Sequence, residues 1–378
     1  MPTSSAAGNT GLRQRTPLVG KSQPNDPDRL SGIAPERIMK PLVSILIPAY
    51  NAEEWIAATL ESAIAQTWQH KEIIVVDDGS TDRTLAIAQR FASKGVNVVC
   101  QENSGAAAAR NKCFSVCHGD FVQWLDADDL LATDKIERQM QVAEQLRGTR
   151  TLLSSPWGRF MYRHSRAEFK PTALWCDLTP AEWLIQKMAH NLQMQTATWL
   201  VSRELTEAAG PWNTQLLGDD DGEYFCRVLL QSDGVRFVPD ARVFYRMAGP
   251  SSLSYIGRSN RKMDAQLHSM RLHIGYLRSL EDSKRTRAAC VTYLQNWLVN
   301  FYPERPDLVR HAEQLAVDLG GRLVAPRLSW KYLWIGVLFG RHLTKRAQVI
   351  LPLVKWSLIS HWDKALFRVE HVATSSSS

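Results

Sequence analysis

Four apolar runs, each followed by a stretch with helical periodicity, limit this chain to one kind of fold. They read LVSILIP (42–48), EIIVV (72–76), VNVVC (96–100) and FVQWLD (121–126). Each run is continuous rather than alternating, as expected for strands covered on both faces. Between the first two, Ala52, Trp55, Ile56, Leu60, Ala63 and Ile64 form one stripe at helical spacing. Asn51 with Glu54 reads as the cap and loose capping box of that helix. Leu85, Ala88 and Phe91 repeat the period after the second run, and SGAAAARNKCFSVC (104–117) is rich in good helix formers after the third. Such alternation implies right-handed βαβ units and a parallel sheet with helices on its faces.

A sheet of this kind binds ligands outside the carboxyl ends of its strands. Topology puts three polar groups on that rim: Pro48-Ala49-Tyr50-Asn51, Asp77-Asp78, and Asp126-Ala127-Asp128. The last group is the oddest, because Asp126, Asp128 and Asp129 crowd the end of a buried strand although carboxylates repel one another and resist burial. Two carboxylates one residue apart can grip a hard divalent cation, Mg²⁺ or Mn²⁺, that is shared with a substrate diphosphate. A solvated turn of capping aspartates is the competing reading. The buried strand before it and the matching acids on the same rim favour the site. Asp78 can accept hydrogen bonds from a base or ribose; Asp82 suits the rival task, capping a helix near Ser80 or Thr81, better than Asp78 does.

From about residue 150 the pattern changes. LLSSPWGRFMY (152–162) and TATWLVS (196–202) read as strands, AEWLIQKM (181–188) as a helix. GPWNTQLLGDDDGEYFCRVLL (210–230) reads as a turn, an acidic helix start and a helix; VRFVPDARVFYRM (235–247) reads as two short strands. This half is expected to extend the sheet and close over its rim. Residues 257–320 read as mostly helical, with Pro306 starting one helix.

The 378 residues carry a formal net charge of +7 at a pI near 9.1, which suits an anionic partner without choosing among nucleotide, membrane and nucleic acid. Between Arg322 and Arg368 nine Lys or Arg residues stand against one acid, Asp363, interleaved with Trp330, Trp334, Trp356 and Trp362. Tryptophans among cations fit the headgroup level of an anionic membrane; helices packed on the rest of the chain with a basic outer face fit equally well. No recognised nucleic-acid module accompanies the basic excess. The cysteines are too scattered for a disulfide framework, and Cys113 and Cys117 read as half-buried thiols rather than a metal pair. The first 40 residues lack an apolar period and read as a disordered tail. With neither a signal-peptide core nor an apolar run long enough to span a bilayer, the expected location is the cytoplasm, with a peripheral position at the inner face of the membrane as the extension.

VSILIPAYNAEEWIAATLESAIAQTWQHKEIIVVDDGSTDRT, NSGAAAARN and GDFVQWLDADDLL together resemble the family 2 glycosyltransferases. The resemblance covers roughly residues 41–250. It implies an α/β fold of glycosyltransferase-A type, with a Rossmann-like, mostly parallel central sheet, flanking helices and, here, a helical C-terminal region. It also implies inverting transfer from a UDP- or GDP-sugar, with help from Mg²⁺ or Mn²⁺. Carried over position by position, Pro48, Ala49, Tyr50 and Asn51 line the nucleotide pocket with Glu53 nearby. Asp78 meets the base or ribose. Gly105 and Arg110 close on the nucleotide. Asp126, Ala127 and Asp128 hold donor and metal, Asp128 being the more direct ligand. The later acidic pair, registered on Arg227, is Asp220-Asp221, with Asp221 as catalytic base and Asp220 as the alternative because Asp219 blurs the register.

The chemistry asks for such a residue independently, since an inverting displacement needs a base for the acceptor hydroxyl. An acidic helix start is the plainer reading of the same residues. Many relatives carry a histidine after the late strand; FYRMAGPSSLSY (244–255) has none, leaving Arg246 and Ser251 or Ser252 as candidates to meet the diphosphate. The expected organisation is a tail (1–40), a catalytic domain (41–256, with a nucleotide-binding half to 130 and an acceptor half from 131) and a basic helical region (257–378). The expected function is sugar transfer to a glycan or lipid-linked acceptor in envelope or exopolysaccharide assembly. A non-catalytic carbohydrate-binding or scaffold protein is the alternative, and no G-x-G-x-x-G follows the first strand to support a dinucleotide-binding oxidoreductase.

Overall fold

In a computed structural model of the chain, residues 40–247, 259–302, 304–326 and 355–370 are described. Ser251, Ser252, Trp330 and Trp334 lie outside them, as does the N-terminal segment before Lys40.

The four apolar runs form β1 (Val43–Ala49), β2 (Lys71–Asp78), β3 (Val96–Gln101) and β4 (Phe121–Trp124). They pair in parallel in the order β3-β2-β1-β4, and β9 (Val201–Ser202) adds an antiparallel edge. Helices α1 (Ile56–Ile64), α2 (Thr84–Gln89) and α3 (Ala106–Ser115) make the crossovers. Ile45, Leu46, Ile47, Val75, Val76, Val122 and Trp124 are buried, because helices cover both faces of the sheet. The register sets the rim: Ala49 pairs with Asp77, Asp78 with Gln101, and Leu46 with Trp124. The strand ends expected to share one edge do share it.

The second half does not simply extend this sheet. A four-stranded sheet forms from β5 (Leu130–Leu131), β11 (Val243–Arg246), β7 (Trp157–Phe160) and β8 (Glu168–Phe169), and β6 (Thr151–Ser154) pairs with β10 (Gly234–Phe237). The run expected as one strand over 152–162 is therefore two strands in different sheets. It breaks at Ser155-Pro156, where proline has no N–H for a ladder. The strand expected over 196–202 is also corrected. Thr196–Thr198 is a 3₁₀ turn in which Thr198 donates its N–H to the Gln195 carbonyl, and only Val201–Ser202 reaches the ladder. Thr196 to Val201 are all buried, so the apolar character of the run was real and its period uninformative.

The helical expectations fared better. Helices α4 (Lys135–Gln145), α5 (Pro180–His190), α6 (Arg203–Ala209) and α7 (Asp220–Gln231) precede three long ones: α8 (Asn260–Leu280), α9 (Lys284–Phe301) and α10 (Pro306–Asp318). Pro306 does start α10. Cys113 and Cys117 are both buried and unbridged.

A further helix, 355–370, docks against the residues around Tyr162 and Glu54. Asp363 accepts hydrogen bonds from the Tyr162 N–H (2.9 Å) and the Arg163 Nε (2.7 Å), and Lys364 pairs with Glu54 at 2.6 Å. Among the described residues no helix is long and apolar enough to cross a membrane.

Candidate active site

Two loops build one side of the rim. Asn51, expected to cap α1, instead takes the left-handed conformation (φ 47°), a conformation Asn adopts more readily than most residues. Its N–H donates to Ser80 Oγ (3.0 Å), and its Oδ1 accepts from the Thr81 N–H (2.8 Å). The helix begins later, at Ile56, and Glu54 belongs to no capping box. Glu53 accepts from the N–H and Nε of Arg83, so its carboxylate is turned toward the loop after β2. Those bonds to Arg83 hold its pKa below the usual range. Asp82 accepts from the Thr84 N–H (2.9 Å) at the start of α2, later than Ser80 or Thr81. Tyr50 stands half exposed beside Pro48 and Ala49.

Asp78 is buried at the end of β2. Its Oδ1 accepts from Gln101 Nε2 (2.7 Å) and the Ser104 N–H (2.8 Å), and its Oδ2 from the Gly105 N–H (2.9 Å). One carboxylate thus fixes the loop that leads into α3. Gly105 takes φ 90° there, a conformation that favours glycine.

Arg110, one turn into α3, is buried, and its two terminal nitrogens reach Asp126 Oδ1 at 2.7 Å and Asp220 Oδ2 at 2.8 Å. Trp212 lies beneath the guanidinium, 4.4 Å from ring to Cζ, and Asn111 holds the Trp212 backbone through both its amide atoms. Burial lowers the Arg110 pKa, but the charges of Asp126 and Asp220 outweigh it and the net shift is upward. The sequence did not single out Trp212 or Asn111; the Asn that directly follows Arg110 was the available signal.

Asp126, Ala127, Asp128 and Asp129 separate as a turn requires. Asp126 faces Arg110. Asp128 takes part in no ion pair among the described residues, and burial together with the Asp126 charge lifts its carboxyl to about 6. Asp129 is fully buried and accepts the Arg246 N–H at 2.8 Å, so it braces β11. Burial, then Asp128 and Asp126, push its pKa well above the ordinary value. Arg246, expected at the diphosphate, is spent otherwise. Its Nε and Nη1 donate to the carbonyls of Asp128 (2.8 Å) and Met161 (2.7 Å), and its guanidinium lies between Trp55 and Phe160.

The three aspartates before Glu223 also diverge. Asp219 has φ 55°, and its Oδ2 accepts from Ser269 Oγ (2.6 Å) and Gln266 Nε2 (3.3 Å) of α8. Gly222 leaves room for that side chain, since a Cβ there would collide with Asp219 Oδ1. Asp220 and Asp221 begin α7, and successive helical residues point about 100° apart. Asp220 therefore meets Arg110, while Asp221 lines a cavity of about 340 Å³ with Trp183, Lys187, Trp199, Tyr245 and Lys262. Burial, then the charges of Asp220 and Asp219, raise Asp221 to about 7; burial also raises Asp220, against the pull of Arg110. Behind them Glu223 holds Arg227 at 2.7 Å and accepts from the Tyr276 hydroxyl. A second cleft, of about 210 Å³, lies at the opposite strand ends near Pro41 and Arg147 and contains none of these residues.

The structure thus gathers Arg110, Asp126, Asp128, Asp220 and Asp221 into one electrostatic cluster. Asp78 and Gly105 form a second contact group, and Asn51 and Glu53 are tied to residues 80–83. No described contact joins the last two to the acids.

The family model for glycosyl transferase family 2 matches residues 44–168, the stretch that supplies β1 to β4 and all of these residues except Asp220 and Asp221. Over that stretch the chain is similar to the family 2 glycosyltransferases. Among curated relatives, this chain is 45% identical over 105 residues to the putative teichuronic acid biosynthesis glycosyltransferase TuaG of Bacillus subtilis, covering 27% of this chain and 42% of the relative. It is 42% identical over 106 residues to the UDP-Glc:alpha-D-GlcNAc-diphosphoundecaprenol beta-1,3-glucosyltransferase WfaP of Escherichia coli, covering 27% and 41%. The chain thus spans less than half the length of these two relatives. Among solved structures, residues 1–349 of S. aureus TarS match with a TM-score of 0.56 at 17% identity, over 73% of this chain and 80% of that one. This likeness establishes the glycosyltransferase-A type fold.

The site has suitable donors for a divalent cation without forming a complete shell. Among the described residues no three His, Cys, Asp or Glu side chains are arranged around one point. Asp126 and Asp128 offer hard oxygen ligands one residue apart, and the Asp128 carboxylate forms no ion pair among the described residues. That fits a cation shared with substrate phosphates, which completes its shell with their oxygens and water.

Proposed function

We propose that this chain is an inverting glycosyltransferase that moves a sugar from a UDP- or GDP-sugar to a glycan or lipid-linked acceptor in cell-envelope or exopolysaccharide assembly. Residues 41–256 would form its catalytic domain. The observation that carries the reading is the divergence of the adjacent pair: Asp220 turns to Arg110 and Asp126, and Asp221 turns to the cavity. One helix start thereby separates a donor side from an acceptor side.

On the donor side, Pro48 to Asn51, Glu53, Asp78 and Gly105 frame the nucleotide. Asp78 Oδ2 accepts one hydrogen bond and retains room for another from a base or ribose. Asp126 and Asp128 would hold Mg²⁺ or Mn²⁺, which when bound neutralises charge on the leaving diphosphate. Arg110 supplies fixed positive charge at the same place. On the acceptor side, Asp221 takes the proton of the attacking hydroxyl as the new glycosidic C–O bond forms and the bond to the donor phosphate breaks. A base near pH 7 suits that step.

The names of TuaG and WfaP support the envelope setting, and the lipid-diphosphate acceptor in WfaP's name supports a peripheral position at the inner membrane face. A panel of UDP- and GDP-sugars with Mn²⁺ tests the reading. Hydrolysis or transfer of at least one donor, abolished by Asp128→Ala, is expected. If no nucleoside diphosphate binds, the reading fails.

A further inference from the structure

The cavity beside Asp221 contains a cation that the proposed reaction does not use. Lys187 sits in the last turn of α5 and is only 7% exposed, yet it lines the cavity. Among the described residues its ammonium forms neither a hydrogen bond nor an ion pair. A lysine buried to this degree is seldom left without a counter-charge, because an unpaired buried ammonium is costly. The nearby acids do not supply one. Asp219 gives its Oδ2 to Ser269 and Gln266 of α8, and Asp221 forms no ion pair among the described residues.

The walls indicate what else the cavity takes. Trp183, Trp199, Tyr245 and Trp297 present aromatic surface, and Gln193 and Gln195 lie among them. Aromatic faces and amides suit the C–H face and hydroxyls of a pyranose. The volume, about 340 Å³, lies at the small end of the usual range for ligand pockets, about 300–1,000 Å³.

We propose that Lys187 is the seat for an anionic group, a carboxylate or a phosphate, on the sugar that enters this cavity as acceptor. The acceptor is then an acidic or phosphorylated glycan end rather than a neutral one. This rests on Asp221 marking the acceptor side, and it adds the class of acceptor.

The test titrates the full-length protein with glucose, glucuronate and glucose 1-phosphate, following the emission of the tryptophans in the cavity wall. At least one anion should bind at least tenfold more tightly than glucose. Preference for glucuronate assigns a carboxylate, and preference for glucose 1-phosphate assigns a phosphate. Lys187→Met should erase the preference, and Lys187→Arg should keep it, with Tm of both near that of the unaltered chain. Equal binding of all three sugars, no binding of either anion, or a preference that survives Lys187→Met overturns the proposal. If Lys187→Met does not fold, the three-sugar comparison on the unaltered chain still decides it. Donor hydrolysis by Asp221→Asn separates the two readings. If that variant hydrolyses donor normally while the anion preference stands, the base assignment fails and the anion seat survives.

Discussion

Asp126 and Asp220, one at the end of a strand and the other at the start of a distant helix, are joined through a single guanidinium. Arg110 donates to the first at 2.7 Å and to the second at 2.8 Å, with Trp212 against its face. A planar fork can serve two carboxylates at once, whereas an ammonium acts as one point charge. Arg110→Lys should therefore lower affinity for UDP or GDP at least tenfold while keeping the net charge. Arg110→Met removes the buried cation between two partly buried carboxylates and should lower stability by up to about 3–5 kcal/mol, the range for a broken buried pair. Calorimetric titration with UDP and GDP, together with urea unfolding, checks both. Full nucleotide affinity in Arg110→Lys would remove the arginine from the donor side.

The raised Asp221 carboxyl fixes a pH dependence. As a base it must be ionised, so the transfer rate should climb as pH rises through about 7 and level off above it. The sign for stability is the opposite. The folded chain holds this proton up to about pH 7 while the unfolded chain releases it near pH 3.8, so ionisation weakens the fold across that window. Asp221→Asn should lose roughly 10²–10⁴ in transfer rate, yet equal or exceed the unaltered chain in Tm at pH 8. A flat rate profile from pH 5.5 to 8.5 would count against Asp221 as the base.

Asp128 and Asp129 are neighbours with separable consequences. Asp128→Ala should abolish Mn²⁺-dependent nucleotide binding with little change in Tm, because no described ion pair is lost. Asp129→Ala strips the acceptor from the buried Arg246 N–H and should cost about 1–3 kcal/mol. Asp129→Asn should be tolerated, since burial already favours the uncharged carboxyl and an amide oxygen can take the same hydrogen bond. The pair of Tm values, read beside a Mn²⁺ titration, distinguishes the roles. A larger Tm loss in Asp128→Ala than in Asp129→Ala would reverse them.

The half from β1 to β4 was legible because its strands are buried on both faces and its first crossover carries a clean helical stripe; both signals survive in a bare sequence. The TATWLVS run failed for the opposite reason. Thr196 to Val201 are buried, yet they begin as a 3₁₀ turn and join the ladder only at Val201–Ser202, and burial alone does not distinguish a strand from a turn. Asn51 misled because an Asn before an apolar stripe is a good cap, but here its side chain answers the Thr81 N–H across the rim. The rim acids were visible from topology. Their division among Arg110, α8 and the cavity was not, since it depends on where α8 and Trp212 pack. Lys187 lay on an apolar helix with nothing local to mark it.

The helix over 355–370 gives the last prediction. Its inner face is committed, with Asp363 on the Tyr162 and Arg163 backbone, Lys364 on Glu54, and Phe367 against Tyr162. Its outer face is apolar, leaving Leu358 and Trp362 69% exposed, Val369 66% and Ile359 47%. Lys355, His361 and Arg368 lie exposed among them. Sheltering so much apolar surface in a lipid interface is favourable, and each nearby cation adds about 1 kcal/mol on an anionic leaflet. The full chain should therefore float with phosphatidylglycerol-containing vesicles and poorly with phosphatidylcholine alone, less so as salt rises. A Leu358→Ser, Trp362→Ser double variant should float at least fivefold less with unchanged Tm, since those side chains pack on little. Asp363→Ala should instead loosen the helix from Arg163 while leaving the apolar face intact, so its flotation should persist. Equal flotation of the double variant and the unaltered chain would move any membrane contact away from this helix.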